Sequence, residues 1–310
     1  MFGYKVVPKY VQTQLATARV TGTCSIAANS SDPASINLVG NPSITADTIV
    51  TPGAITGHLT NVKLASPAIT GAPPVADPYA SILTHTALQA GMPNTCTAGP
   101  AGTGVTVYNT DVKICGGLTI GNKQTVDLQP PASGHLTVWI TDGDLDLTNT
   151  SSLLECTTCN VATGIGVTII LTKGTGGGAI VGGVSMKAGA TINSLNVPNS
   201  GAFSGVLIAQ DPAGPFTTPK TQGTKCKNVS SPCSTFQGGP GATLNGLVYF
   251  PKTSMDFQGT PSIGSNSCLL LVVQQVEFAG NASLKDSGCS NAGLNTVPTH
   301  SWPVALDRYC

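Results

Sequence analysis

Charge is scarce in this chain. Only 9% of the 310 residues are Asp, Glu, Lys or Arg, and these divide into 14 basic and 14 acidic side chains. With no basic excess there is no stripe to neutralise a phosphate backbone, so nucleic acid is not an expected partner. Hydrophobic residues make up 40%, which supplies mass for a core and excludes a charge-extended disordered polymer. A neutral surface also lacks self-repulsion, so packing against copies of the same chain meets little electrostatic resistance. Arginine is nearly missing, with Arg19 and Arg308 close to the two ends, and His58, His85, His135 and His300 are scattered singly. That inventory gives little from which to build a carboxylate and base constellation or a Cys-His zinc cluster. Long apolar runs are missing too. Residues 268–273 form a run of strand length, far short of the ~18 residues of a membrane span. Residues 1–20 hold lysines but no apolar signal core, so the sequence predicts no membrane span in this chain.

What is abundant is turn chemistry: 37 Gly and 22 Pro punctuate short runs of Val, Ile, Leu and Ala. One pattern recurs: apolar, any, apolar, any, Gly, two turn residues, Ser, apolar. It stands at Ile36-Asn37-Leu38-Val39-Gly40-Asn41-Pro42-Ser43-Ile44, again over residues 255–263 and again over 276–284, with looser versions around Gly121 and Gly182. Each copy is a period-2 strand, a tight corner and a second strand. A β-sandwich alternates in the same way. The corners join strands too short for long hairpins, which favours stacked coils that bury their apolar faces on one another. Residues 166–171, 205–209 and 246–250 are almost continuously apolar, as strands buried on both faces are. The expected fold is therefore all-β, a right-handed parallel β-helix or β-solenoid with long disulfide-stapled loops. Residues 1–20 are expected to form an extended N-terminal segment and residues 21–310 the solenoid, with inserted loops near 73–100 and 210–240. Asp77 before Pro78 is expected to cap a short helix in the first loop. Trp139, Tyr249 and Phe250 fall within strand patterns and are expected in the core.

The ten cysteines are even in number and lack metal spacing, which predicts disulfides made in an oxidising compartment and a secreted or cell-surface location. Local bridges Cys96–Cys115, Cys156–Cys159, Cys226–Cys233 and Cys268–Cys289 are expected, and Cys24 with Cys310 remains by elimination. Glu155 beside Cys156 opposes a reactive thiolate there. Asp142, Asp144 and Asp146 form the only acidic run. Period 2 puts their carboxylates on one strand face, where a solvated surface competes with a weak calcium site. No cofactor is expected.

The order of several segments resembles the TadG-like proteins of Flp/Tad tight-adherence pilus systems. They are residues 108–120 with Cys115-Gly116-Gly117, 134–147 with Trp139-Ile140-Thr141-Asp142-Gly143, 166–171, 205–212, 244–259 and 267–284, opened by Cys24-Ser25-Ile26. The resemblance covers roughly residues 24–306. It implies a β-helical, surface-exposed part of an adhesion or pilus apparatus without assigned catalytic residues, whose partners are copies of itself, other pilus components or surface glycans. Two features depart from the family: no N-terminal membrane helix is present, and the second early cysteine expected near Thr48 is missing. Tyr4, Val6, Val7, Tyr10 and Val11 form a strand-like segment that either adds to a neighbouring copy or folds back on its own solenoid. A carbohydrate-active β-helix enzyme and a phage-type receptor-binding spike are the alternative functions.

Overall fold

The computed structural model describes residues 13–16, 19–21, 26–39, 43–74, 76–132, 134–147, 151–174, 179–217, 232–238, 242–259, 262–263, 269–280 and 283–285. The strands pair in parallel and wind into a three-faced solenoid. The first face stacks Val112–Cys115, His135–Thr141, Gly166–Thr172, Val206–Gln210 and the leading halves of Gly246–Gly259 and Leu269–Gly280. Those two long strands run on through a corner into the second face. The third face stacks Gly104–Tyr108, Gln124–Leu128, Leu153–Glu155, Thr191–Leu195 and Ala242–Leu244.

Stacking order is not chain order. On the second face the strands follow one another as Leu118–Ile120, Leu145–Leu147, Val184–Met186, Cys233–Gly238, residues 254–259, residues 275–280, and then Thr13–Ala16, Ile36–Val39 and Ile55–Gly57. The N-terminal coils thus sit beyond the C-terminal coil. The pairs Gln14 with Glu277, Leu15 with Phe278, and Val20 with Leu284 set the register of that junction. Two copies of the sequence pattern, residues 255–263 and 276–284, are neighbours in the stack, and the third, residues 36–44, is separated from them by the coil of residues 13–21.

Inside the second face, register aligns Ile120, Leu147, Met186, Phe236, Phe257, Phe278 and Leu38, with Leu15 at the register position between the last two. The three phenylalanines stack with centroids 5.3 and 5.0 Å apart and ring planes within 20° and 10°. The spacing follows from the ~4.8 Å step between strands, which puts identical rings at offset-stacking distance. At the corner between the first two faces coils approach too closely for a side chain. A Cβ on Gly182 would lie 2.0 Å from the carbonyl oxygen of Gly143, and one on Gly143 2.5 Å from the backbone of Gly116.

The strand Thr13–Ala16 places the start of the solenoid ahead of residue 21. Cys233–Gly238 is a strand of the second face, so the expected loop over 210–240 is interrupted. The first loop does contain a helix, but it is His85–Gln89, capped by Thr84, whose hydroxyl accepts from the Ala87 amide. Asp77 has other partners.

Candidate functional site

Residues 71–103 run from the last N-terminal strand, Ile69–Thr70, back to Gly104–Tyr108 at the opposite end of the stack. This strap lies on the outside of the first face and meets earlier coils as it advances. Tyr249 donates its hydroxyl to Asp77 Oδ2 at 2.8 Å, and Tyr79 packs edge-on against Tyr249 at 6.1 Å. One coil earlier, His85 Nδ1 lies 2.5 Å from Asp211 Oδ2. Gln89 then donates to the Thr172 hydroxyl and the Lys173 carbonyl, and Trp139 donates its indole N–H to Leu88 O at 2.8 Å. Cys96 is disulfide-bonded to Cys115, and the Thr97 amide donates to Lys113 O on the outermost strand of that face. Beneath the strap, Tyr79, Leu83 and Leu88 bury Trp139, Ile170, Ala209, Leu247 and Val272. The apolar strands predicted to be buried on both sides are covered by core on one side and strap on the other. Trp139 and Tyr249 are buried, as expected of core residues, but outside the solenoid interior.

Burial under the strap has electrostatic consequences. Desolvation, with the Asp77 charge as the lesser cause, pushes the Tyr79 hydroxyl up to about 12. Tyr249 is raised further by burial, by the Asp77 charge and by its hydrogen bond to that carboxylate. Asp211 is fully buried, and its oxygens also accept from the Thr172 hydroxyl at 2.5 Å and the Ala213 amide at 2.9 Å.

Beside the helix a cavity of about 180 Å³ opens over Trp139 and Phe203, with Asp111, His135 and Ser200 around it. Asp111 accepts from the Thr137 amide, and no hydrogen bond joins Asp111, His135 and Ser200 to one another among the described residues. They do not form a nucleophile and base arrangement.

The acidic run is placed differently from its period-2 reading. Asp142 and Asp144 stand in the corner before the strand Leu145–Leu147 begins. Asp142, at φ 57°, accepts from the amides of Gly174 and Ile180, and Asp144 accepts from that of Gly183. Only Asp146 lies in the strand, in an outward column of the second face with Thr119, Ser185, Thr235, Asp256, Glu277 and Asn37. Among the described residues no three His, Cys, Asp or Glu side chains are grouped to hold a metal ion. Asp256 and Glu277 in this column stand opposite one another, and both are buried. The sequence reading missed this pair, although both occupy the second position of the recurring pattern.

Among the described residues both ends of the stack are open edges. At one end Gly104–Tyr108 and Leu118–Ile120 have no strand on their outer side among the described residues. At the other, the same holds for Ile55–Gly57, Val62–Leu64 and Ile69–Thr70. Large apolar side chains are exposed at both: Val105 (66%) and Val107 (46%) at the first, Leu59 (51%) and Ile69 (39%) at the second.

Two expected disulfides are formed, Cys96–Cys115 and Cys156–Cys159. Cys233 is also disulfide-bonded, to a cysteine outside the described residues. Cys24, Cys226, Cys268, Cys289 and Cys310 lie outside the described residues, as do Tyr4, Val6, Val7, Tyr10 and Val11. Among the described residues no helix is long and apolar enough to cross a membrane. No protein-family model, curated protein or solved structure matches this chain.

Proposed function

We propose that this chain is a non-catalytic extracellular structural or adhesive subunit of a surface filament or pilus-type apparatus, acting through association with copies of itself. The observation that carries this reading is the pair of coil edges left open among the described residues. Both ends offer parallel strands of the same three-faced layout, so the Val62–Leu64 edge of one copy fits the Gly104–Tyr108 edge of the next. Contact between two different surfaces that repeats without closing generates an open filament. Edges that avoid such pairing carry charge, proline or a covering segment. Here the exposed side chains of Gly104–Tyr108 are uncharged, the Val62–Leu64 edge carries one exposed charge, Lys63, and among the described residues Thr97 covers part of the Val112–Cys115 edge alone. Disulfides and the ordered segment resemblance to the TadG-like proteins support a surface location and a place in a tight-adherence pilus system. The carboxylates of Asp142 and Asp144 serve backbone amides, which supports a scaffold role for the acidic run rather than chemistry.

Electron microscopy and sedimentation of the purified chain test this. Filaments or concentration-dependent oligomers are expected, and Val105→Lys with Val107→Lys, two changes at exposed positions, is expected to abolish them while the circular-dichroism spectrum is unchanged. A chain that stays monomeric at micromolar concentration, or a double variant that assembles equally well, overturns the proposal.

A further inference from the structure

The coils built from residues 13–70 have an unusual attachment. They stack on the C-terminal coil, yet the chain joins them to the body at the far end, through the strap. The junction itself is ordinary parallel pairing: Gln14 with Glu277, Leu15 with Phe278, Arg19 with Ser283, Val20 with Leu284 and Thr21 with Lys285. Nothing in those pairs requires both strands to come from one molecule. Resting on the self-association reading above, we propose that the N-terminal coils are exchanged between copies, those of one chain completing the C-terminal coil of another.

Three features support exchange. First, the body is incomplete without these coils. Removing them leaves residues 275–280 as a bare edge and exposes one side of Phe278, the last ring of the aromatic ladder. Every body therefore needs an N-terminal unit, its own or a neighbour's. Second, the junction is one regular step of the stack: residues 13–21 pair in parallel with residues 277–285 on one side and with residues 36–45 on the other, so the surface offered to the body does not depend on which molecule supplies it. Third, the tether allows it. Asp77, held by Tyr249, fixes the strap to the body, so the tether is the seven steps from Thr70 to Asp77, about 23 Å at ~3.3 Å per residue, against ~4.8 Å per step of the stack. The strap begins with an exposed hinge: Gly71 at φ 71°, with open space around it, followed by exposed Pro73 and Pro74. Exchange of an identical element across such a hinge creates no new interface, so its cost is confined to the tether and to association.

Cross-linking in trans decides the matter. Arg19 and Ser283 are register partners on adjacent parallel strands, a spacing that a disulfide spans. The double variant Arg19→Cys with Ser283→Cys is a control that must cross-link in either arrangement. The test mixes the two single variants, refolds them together, oxidises them and separates them under denaturing, non-reducing conditions. Exchange predicts a covalent product of twice the monomer mass whose fraction rises with protein concentration. If the double variant closes within single chains while the mixed singles give no such product, exchange is overturned. Filaments seen by microscopy without the trans product would leave end-to-end stacking standing and remove exchange alone; neither filaments nor product would remove both.

Discussion

Tyr249 and Asp77 are 172 residues apart in sequence and joined by a hydrogen bond of 2.8 Å. The bond holds the strap to the coil it meets first, in a place from which water is largely removed. Both that tyrosine and its neighbour Tyr79 ionise only well above the ordinary value of 10.0. Since folding opposes their ionisation, the stability they contribute is complete below pH 10 and is lost as pH rises through about 12. A spectrophotometric titration of the six tyrosines should therefore show a late-titrating fraction, accompanied by release of the strap. A single transition near pH 10 for all of them would contradict the buried placement.

Strap variants should loosen one segment before they unfold the solenoid. His85→Ala removes a partner from the fully buried Asp211, a change worth about 1–3 kcal/mol. Trp139→Ala removes the largest side chain beneath the strap and should cost about 3–5 kcal/mol. Limited proteolysis is expected to cut within residues 71–97 in both variants. Cleavage elsewhere first would show that the strap is not the weaker element.

In the aromatic ladder, Phe257→Ala leaves a hole between Phe236 and Phe278 and should destabilise by about 3–5 kcal/mol, with Phe257→Leu costing less. Chemical denaturation of the two variants measures this. Equal and small losses would mean that the rings are not stacked through the core.

Calcium should leave the melting temperature unchanged, because Asp142 and Asp144 already accept from backbone amides of the next coil. Asp142→Ala should instead lower stability by about 1–3 kcal/mol, since it orphans the amides of Gly174 and Ile180. A calcium-dependent rise in melting temperature that Asp142→Ala abolishes would restore the metal reading.

Much of this architecture is legible in the residues, and the limits are physical. Period-2 strands with glycine corners identify stacked coils because both signals are local. The doubly apolar run at residues 166–171 announces cover on its outer side, but not which segment supplies it. Residues 73–94 carry no periodicity, since the strap is shaped by the coils it crosses. Asp77 and Asp211 each precede a proline, a turn signal that says nothing about a partner in a distant coil. Asp142 and Asp144 depart from period 2 because the alternation that governs a strand fails at a corner. The out-of-order stacking leaves no trace in the pattern itself, because the coil that meets the C-terminal one, residues 13–21, lacks the glycine corner.

The most direct measurement is X-ray fibre diffraction from aligned assemblies of the purified native chain. Solenoids stacked end to end along a filament predict a sharp reflection at about 4.8 Å parallel to the fibre axis, lost when Val105→Lys and Val107→Lys are introduced together. Assemblies without that axial repeat, or a chain that forms no assembly at any concentration reached, would contradict the account.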